Sequence, residues 1–137
     1  MRTMLKGKIH RATVTGADLQ YEGSVTIDPV LMEASDLLPF EQVQLLDVHN
    51  GARLTTYAIE GRRGSGDVIV NGAAAHLIHQ GDTVIILHYA TVSEEEARQI
   101  ASAQRMQPSL VYVNERNEIV RTGHQIAPAA LVAAVDR

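Results

Sequence analysis

The sequence predicts a mainly β chain folded as a small β-barrel with two short helices. Three observations carry this reading. Many short β-branched runs end at glycine-containing turns. One pair of runs flanks Asn50-Gly51, the strongest short hairpin signal available. Only two stretches carry helix signatures, and both are short. The 137 residues suit a single domain, 1–137, of ordinary size.

Taken in order, Met4 to Val14 reads as a strand with Lys6, Lys8 and His10 two apart on one face. Met4, Ile9 and Val14 do not keep one parity, so a bulge or bend is expected there. Asp18 to Tyr21 reads as a turn leading to Gly23-Ser24 and the β-branched run Val25-Thr26-Ile27. Asp28 caps a short helix to Ala34, with Pro29 in its first turn. Gln42 to His49 and Ala52 to Ile59 form the hairpin, Gly61 to Asp67 a loop, and Val68 to Val70 a short strand. Gly81-Asp82 turns the chain into Thr83 to Val92, the most apolar strand. Ser93 and Glu96 make a capping box for the second helix. Leu110 to Val113 and Glu118 to Arg121 read as a last strand pair, and the alanine-rich stretch Pro128 to Arg137 as loosely ordered.

Composition narrows the chemistry. With one Phe, four Tyr and no Trp, the core must rest on Val, Ile, Leu and Ala. There is no cysteine, hence no thiol nucleophile or zinc–thiolate site, which is compatible with a reducing cytoplasm. The net charge of -4 argues against a nucleic-acid partner. Residues 1–24 nevertheless carry more basic than acidic groups, which suits a small acidic ligand. The N-terminus lacks the apolar core of a signal peptide, and no run reaches membrane-spanning length. A cytoplasmic protein without a membrane partner is expected.

Gly23-Ser24 is the first chemical candidate. A serine hydroxyl folded back onto the preceding carbonyl, on a bent backbone, allows an N-to-O acyl shift. β-Elimination and hydrolysis then leave a pyruvoyl ketone at position 24. Gly-Ser is also a common turn dipeptide, and Gly64-Ser65 is a second one in this chain. Past the hairpin turn, strand parity places Arg53, Thr55 and Tyr57 on one face. Arg53 offers a planar fork for a carboxylate, and Tyr57 a phenolic proton for a carbanion. Asn71 to Ala74 offer an amide and backbone N–H groups, and Lys8 and His10 carry positive charge. Each also has an ordinary structural reading as core, turn or solvated strand. His76, His79 and His88 lack a third ligand at a recognised spacing, so no metal is expected.

Together these strings resemble the aspartate 1-decarboxylase family. The resemblance rests on Lys8-Ile9-His10-Arg11, Ala17-Asp18-Leu19, Tyr21-Glu22-Gly23-Ser24, Asn50-Gly51, Thr56-Tyr57-Ala58-Ile59 and Asn71-Gly72-Ala73-Ala74-Ala75-His76. It runs in order from Met1 to about Arg98 and weakens after Ile100. It implies a six-stranded double-psi β-barrel, assembled as a homotetramer with sites between subunits. It implies self-cleavage at Gly23-Ser24 into a β chain, 1–23, and an α chain, 24–137, whose pyruvoyl group forms a Schiff base with L-aspartate. Tyr57 then resembles the proton donor, and Thr56, Gly72, Ala73 and Ala74 the substrate contacts. We assign Arg53 and Lys8 to substrate binding, with His10, Tyr21 and Asn71 in support. Some relatives need a maturation activator protein. The alternative is a non-catalytic barrel that binds a small acid or a protein partner.

Overall fold

The computed structural model describes residues 1–103 and 107–124. It opens with β1 (Arg2–Thr13), then the short β2 (Gly16–Asp18), β3 (Ser24–Ile27), helix α1 (Pro29–Ala34), β4 (Gln42–Asp47), β5 (Arg53–Glu60) and β6 (Val68–Asn71). A 3-10 turn over Gly72–His76 leads to β7 (Thr83–Val92), helix α2 (Glu94–Ala101), β8 (Ser109–Val113) and β9 (Ile119–Gly123). The fold is mainly β with two short helices, in line with the expectation. The alanine-rich stretch 128–137 lies outside the described residues.

The strands form one open hydrogen-bonded series, β2-β6-β3-β5-β4-β7-β1-β8-β9. β1 lies antiparallel to β7 and parallel to β8. Beyond Val14 the same chain runs on as β2, parallel to β6. That single run therefore touches both ends of the series β6-β3-β5-β4-β7, and the Thr15 N–H donates to the Val68 carbonyl at 2.8 Å. This arrangement is consistent with a small barrel.

β1 makes this span by bending. Its register shifts between Leu5 and Gly7 and again between Ile9 and Ala12, with Arg11 at φ 61°. The irregularity expected from the broken parity is thus present as two bulges. β2 was not legible. Gly16, Ala17 and Asp18 have poor β propensity, and only pairing with β6 extends them. The hairpin joins β4 and β5 as expected, with Gly51 at φ 75°. β4 stops at Asp47, earlier than the sequence suggests. The reason is local: the Asp47 carboxylate accepts the N–H groups of His49 (2.8 Å) and Asn50 (3.3 Å), drawing them out of the ladder. Both helix caps form, Asp28 accepting from Val30 N–H and Ser93 from Glu96 N–H.

The core is aliphatic. Ile9, Val25, Ile27, Leu45, Val68, Val70, Ile78, Val84 and Ile86 are fully buried, with Leu31 and Met32 of α1 over them. One polar ring, His88, is also fully buried, opposite Gly7 of β1. A Cβ on Gly7 would overlap His88 Nε2 and the Ser35 carbonyl, so this position must be glycine. His88 Nδ1 lies 3.5 Å from Glu41, which also pairs with Lys6. Burial holds the His88 pKa below its ordinary value, outweighing the attraction of Glu41.

Two predictions follow from this packing. Gly7→Ala should destabilise the protein by about 1–3 kcal/mol through overpacking, read as a lower urea midpoint with unchanged slope. His88 binds its proton less readily folded than unfolded. Its stabilising contribution is therefore present above the ordinary imidazole pKa of about 6.5 and is lost as pH falls below that value. The melting temperature should drop between about pH 7.5 and 5.5, and His88→Gln should flatten that slope.

Candidate active site

Ser24 opens β3 at the border between solvent and core. Tyr21, Glu22 and Gly23 are exposed, whereas Ser24 is 1% exposed. β3 lies between β5, to which it is parallel, and β6, to which it is antiparallel. Alternation along β3 sends Val25 and Ile27 into the core and leaves Ser24 and Thr26 on the opposite face. Ser24 pairs directly with Asn71 of β6. The Asn71 side-chain amide donates to Ser24 Oγ at 3.0 Å and to Thr26 Oγ1 at 2.9 Å. Ser24 Oγ in turn donates to the Glu22 carbonyl at 3.2 Å. The hydroxyl therefore folds back over the Gly23 residue, and the backbone there is bent.

The glycine that the local geometry requires is Gly72 rather than Gly23. Gly23 does not use the left-handed region, and a Cβ on it would meet nothing within 4 Å. Gly72 does use it, at φ 73°. A Cβ on Gly72 would stand 2.7 Å from Gly23 Cα and 2.8 Å from Gly23 N, and 3.2 Å from the Tyr21 carbonyl. The missing side chain at Gly72 is what lets the Tyr21–Gly23 loop lie against the end of β6. From Gly72 the chain enters the 3-10 turn, with Ala73 exposed, Ala74 half-buried and Ala75 buried. The leading N–H groups of such a turn lack partners inside it and suit a carboxylate or oxyanion.

β5 supplies the other wall. Val25 pairs with Ala58 and Thr26 with Ile59. One step back along this register brings Ser24 level with Tyr57 and Gly23 level with Thr56. Both side chains are half-buried, and among the described residues the Tyr57 hydroxyl makes no hydrogen bond. The second Gly-Ser step is held differently. Ser65 Oγ donates to the Arg62 carbonyl at 2.5 Å and accepts from Asp67 N–H, while the Gly64 N–H is taken by the Asp28 carboxylate. Among the described residues no amide side chain addresses Ser65.

Three expected site residues lie elsewhere in the chain. Arg53 opens β5, four residues before Tyr57 and roughly 13 Å along the strand at ~3.3 Å per residue. It is exposed and donates to Gln44 at 3.3 Å. Lys8 sits on β1 between Leu87 of β7 and Leu110 of β8, half-buried, and burial lowers its pKa. His10 meets the Tyr112 ring edge-on at 5.5 Å, beside a cleft of about 720 Å³. No strand pairing or hydrogen bond links these three to Ser24 among the described residues. Thr26 is the neighbour that the motif strings miss. Its signal is a hydroxyl two residues after Ser24, on the same face of a strand.

Among the described residues no three histidine or carboxylate side chains gather at a distance that would hold a metal. No helix there is long and apolar enough to cross a membrane. Comparison with known families matches residues 1–120 to the family described as aspartate decarboxylase, beyond the point near Arg98 where the motif strings fade. With most of its length matched, the chain belongs to the aspartate decarboxylase family, carboxy-lyases that convert L-aspartate to β-alanine for pantothenate biosynthesis.

Proposed function

We propose that this chain is the precursor of a pyruvoyl enzyme. It cuts itself into a β chain, 1–23, and an α chain, 24–137, which stay together as one six-stranded double-psi barrel. The continuous run through β1 and β2, reaching both ends of the β6-to-β7 series, supports the barrel. One observation carries the cleavage. The buried Ser24 hydroxyl is held by Asn71 and folded back beside an exposed, unshielded Gly23.

The chemistry balances on these atoms. Ser24 Oγ bonds to the Gly23 carbonyl carbon, the carbon–nitrogen bond breaks, and the hydroxyl proton ends on the Ser24 nitrogen. This gives an ester and a free amine. Loss of the Ser24 Cα proton then breaks the Cβ–Oγ bond. The oxygen leaves with the Gly23 carboxylate, and dehydroalanine remains. Water replaces its nitrogen, ammonia departs, and a ketone stands at position 24. That pyruvoyl group supplies an electron sink for the electron pair left behind when CO₂ departs.

The chain's own residues do the rest. Tyr57, level with Ser24, delivers a proton to the former α-carbon of the substrate. Thr56 and the backbone of Gly72, Ala73 and Ala74 line the substrate side. The departing carboxylate must not be gripped, because a strong ion pair there favours the ground state. Arg53 therefore holds the carboxylate that stays, with Lys8 adding positive charge. Neither pairs with or bonds to Ser24 of its own chain among the described residues, and both serve the site of a neighbouring subunit in a homotetramer. His10 and Tyr21 support the same junction. Leu38 (65% exposed) and Phe40 (77% exposed) add an apolar surface for such an assembly, next to Ala58 of β5.

Two experiments test this reading. Purified protein, incubated warm alone and with the source organism's soluble extract, should split between residues 23 and 24 by intact mass. The larger fragment should be lighter, by the mass of ammonia, than a serine-headed one, and Ser24→Ala should stay whole. Splitting only with the extract identifies a maturation activator, and no splitting in either case defeats the proposal. Arg53→Ala should raise KM for aspartate about tenfold to a hundredfold with little change in kcat, as for a lost charge-assisted pair of roughly 1.5–3 kcal/mol. A loss confined to kcat would refute the assignment.

A further inference from the structure

Asn71 has one side-chain amide nitrogen and two hydroxyl neighbours, Ser24 at 3.0 Å and Thr26 at 2.9 Å. The nitrogen carries two hydrogens, so each hydroxyl oxygen receives one. Thr26 is thus the second anchor of the amide plane. Without it, rotation about the last Asn71 torsion costs only one hydrogen bond and sweeps the donor off Ser24. The Thr26 methyl group packs beside Gly61, where an added Cβ would stand 3.0 Å from it. Its backbone is fixed between β5 and β6.

We propose that Thr26 is a positioning residue for self-cleavage, acting through Asn71 at the elimination step. This rests on the self-cleavage reading above. The Asn71 hydrogen is aimed at Ser24 Oγ and not at the Gly23 carbonyl oxygen. During the acyl shift the new negative charge gathers on that carbonyl oxygen, so the donor contributes little there. During elimination the Cβ–Oγ bond breaks and its electron pair arrives on Oγ, which leaves as one oxygen of the Gly23 carboxylate. A preorganised donor helps where charge develops. Thr26, by holding the donor in place, speeds departure of the ester oxygen.

The test uses the full chain purified early as precursor. Thr26→Val keeps the shape and removes the hydroxyl. Conversion to the two fragments should slow about threefold to tenfold, as for the loss of one hydrogen bond. The uncut fraction should also become richer in ester, which hydroxylamine splits between residues 23 and 24 to leave a serine-headed fragment. Thr26→Ser, which restores the hydroxyl, should recover the rate. If Thr26→Val does not give folded protein by circular dichroism, Thr26→Ala removes the same hydroxyl by truncation. Conversion within twofold of wild type overturns the proposal. So does slower conversion with no rise in the hydroxylamine-sensitive fraction, which marks a purely structural role. A wild-type precursor that never splits overturns the self-cleavage reading itself, and Thr26 with it.

Discussion

Asn71 and Gly72 are consecutive residues at the end of β6, and between them they address both sides of the Gly23–Ser24 peptide. Asn71 reaches Ser24 through an amide hydrogen bond. Gly72 reaches Gly23 by having no side chain, on a backbone turned to positive φ. Neither contact would exist if β3 and β6 were paired one residue out of step, because a slip by one turns each side chain to the opposite face. The register of this strand pair is therefore the constraint from which the site follows. It is enforced by burial: Val25, Ile27, Val68 and Val70 all point into the core at 0% exposure.

The rest of the fold holds that pair in place. Asp28 does so from the far end of β3. Its carboxylate accepts N–H groups from Val30, Gly64 and Gly66, and its own N–H bonds to the Asp67 carbonyl. The Gly61-to-Asp67 loop is thus tied to α1 just before β6 begins. Asn117 closes the other side, taking the Thr13 N–H and giving its own hydrogens to the Thr13 and Gly66 carbonyls. These buried polar groups are well satisfied, and they hold the loops around the sheet in one arrangement.

Much of this was legible in the chain itself. Asn50-Gly51, the Asp28 and Ser93 caps and the broken parity of β1 each report a local preference that the fold keeps. The site strings marked Ser24, Thr56, Tyr57, Asn71 and Gly72, which the strand register brings side by side. What could not be read depends on distant partners. β2 is extended only because β6 lies beside it. The special glycine angle falls on Gly72 rather than Gly23, because the close approach is made from β6. Thr26 looked like ordinary β-branched filling, and its hydroxyl gains meaning only when Asn71 stands opposite. Arg53 and Lys8 carry suitable chemistry in sequence, yet among the described residues neither is paired with or hydrogen-bonded to Ser24 of the same chain.

If the chain splits at Gly23–Ser24 as proposed, the run through β1 and β2 decides what holds the two pieces together. Both strands lie on the amino-terminal side of Ser24, while β3 and every later strand lie beyond it. A break at that peptide converts one covalent thread into two pieces laced through a common sheet. The short piece would then be held by its pairing with β6, β7 and β8 and by the Asn117 bonds to Thr13, with no covalent tie. Once melted apart, such a pair must find each other again in solution, so reassembly becomes second order in protein. A molecule that forms its sheet easily before the break would re-form it poorly afterwards, and its lifetime would be governed by the rate of opening rather than by equilibrium.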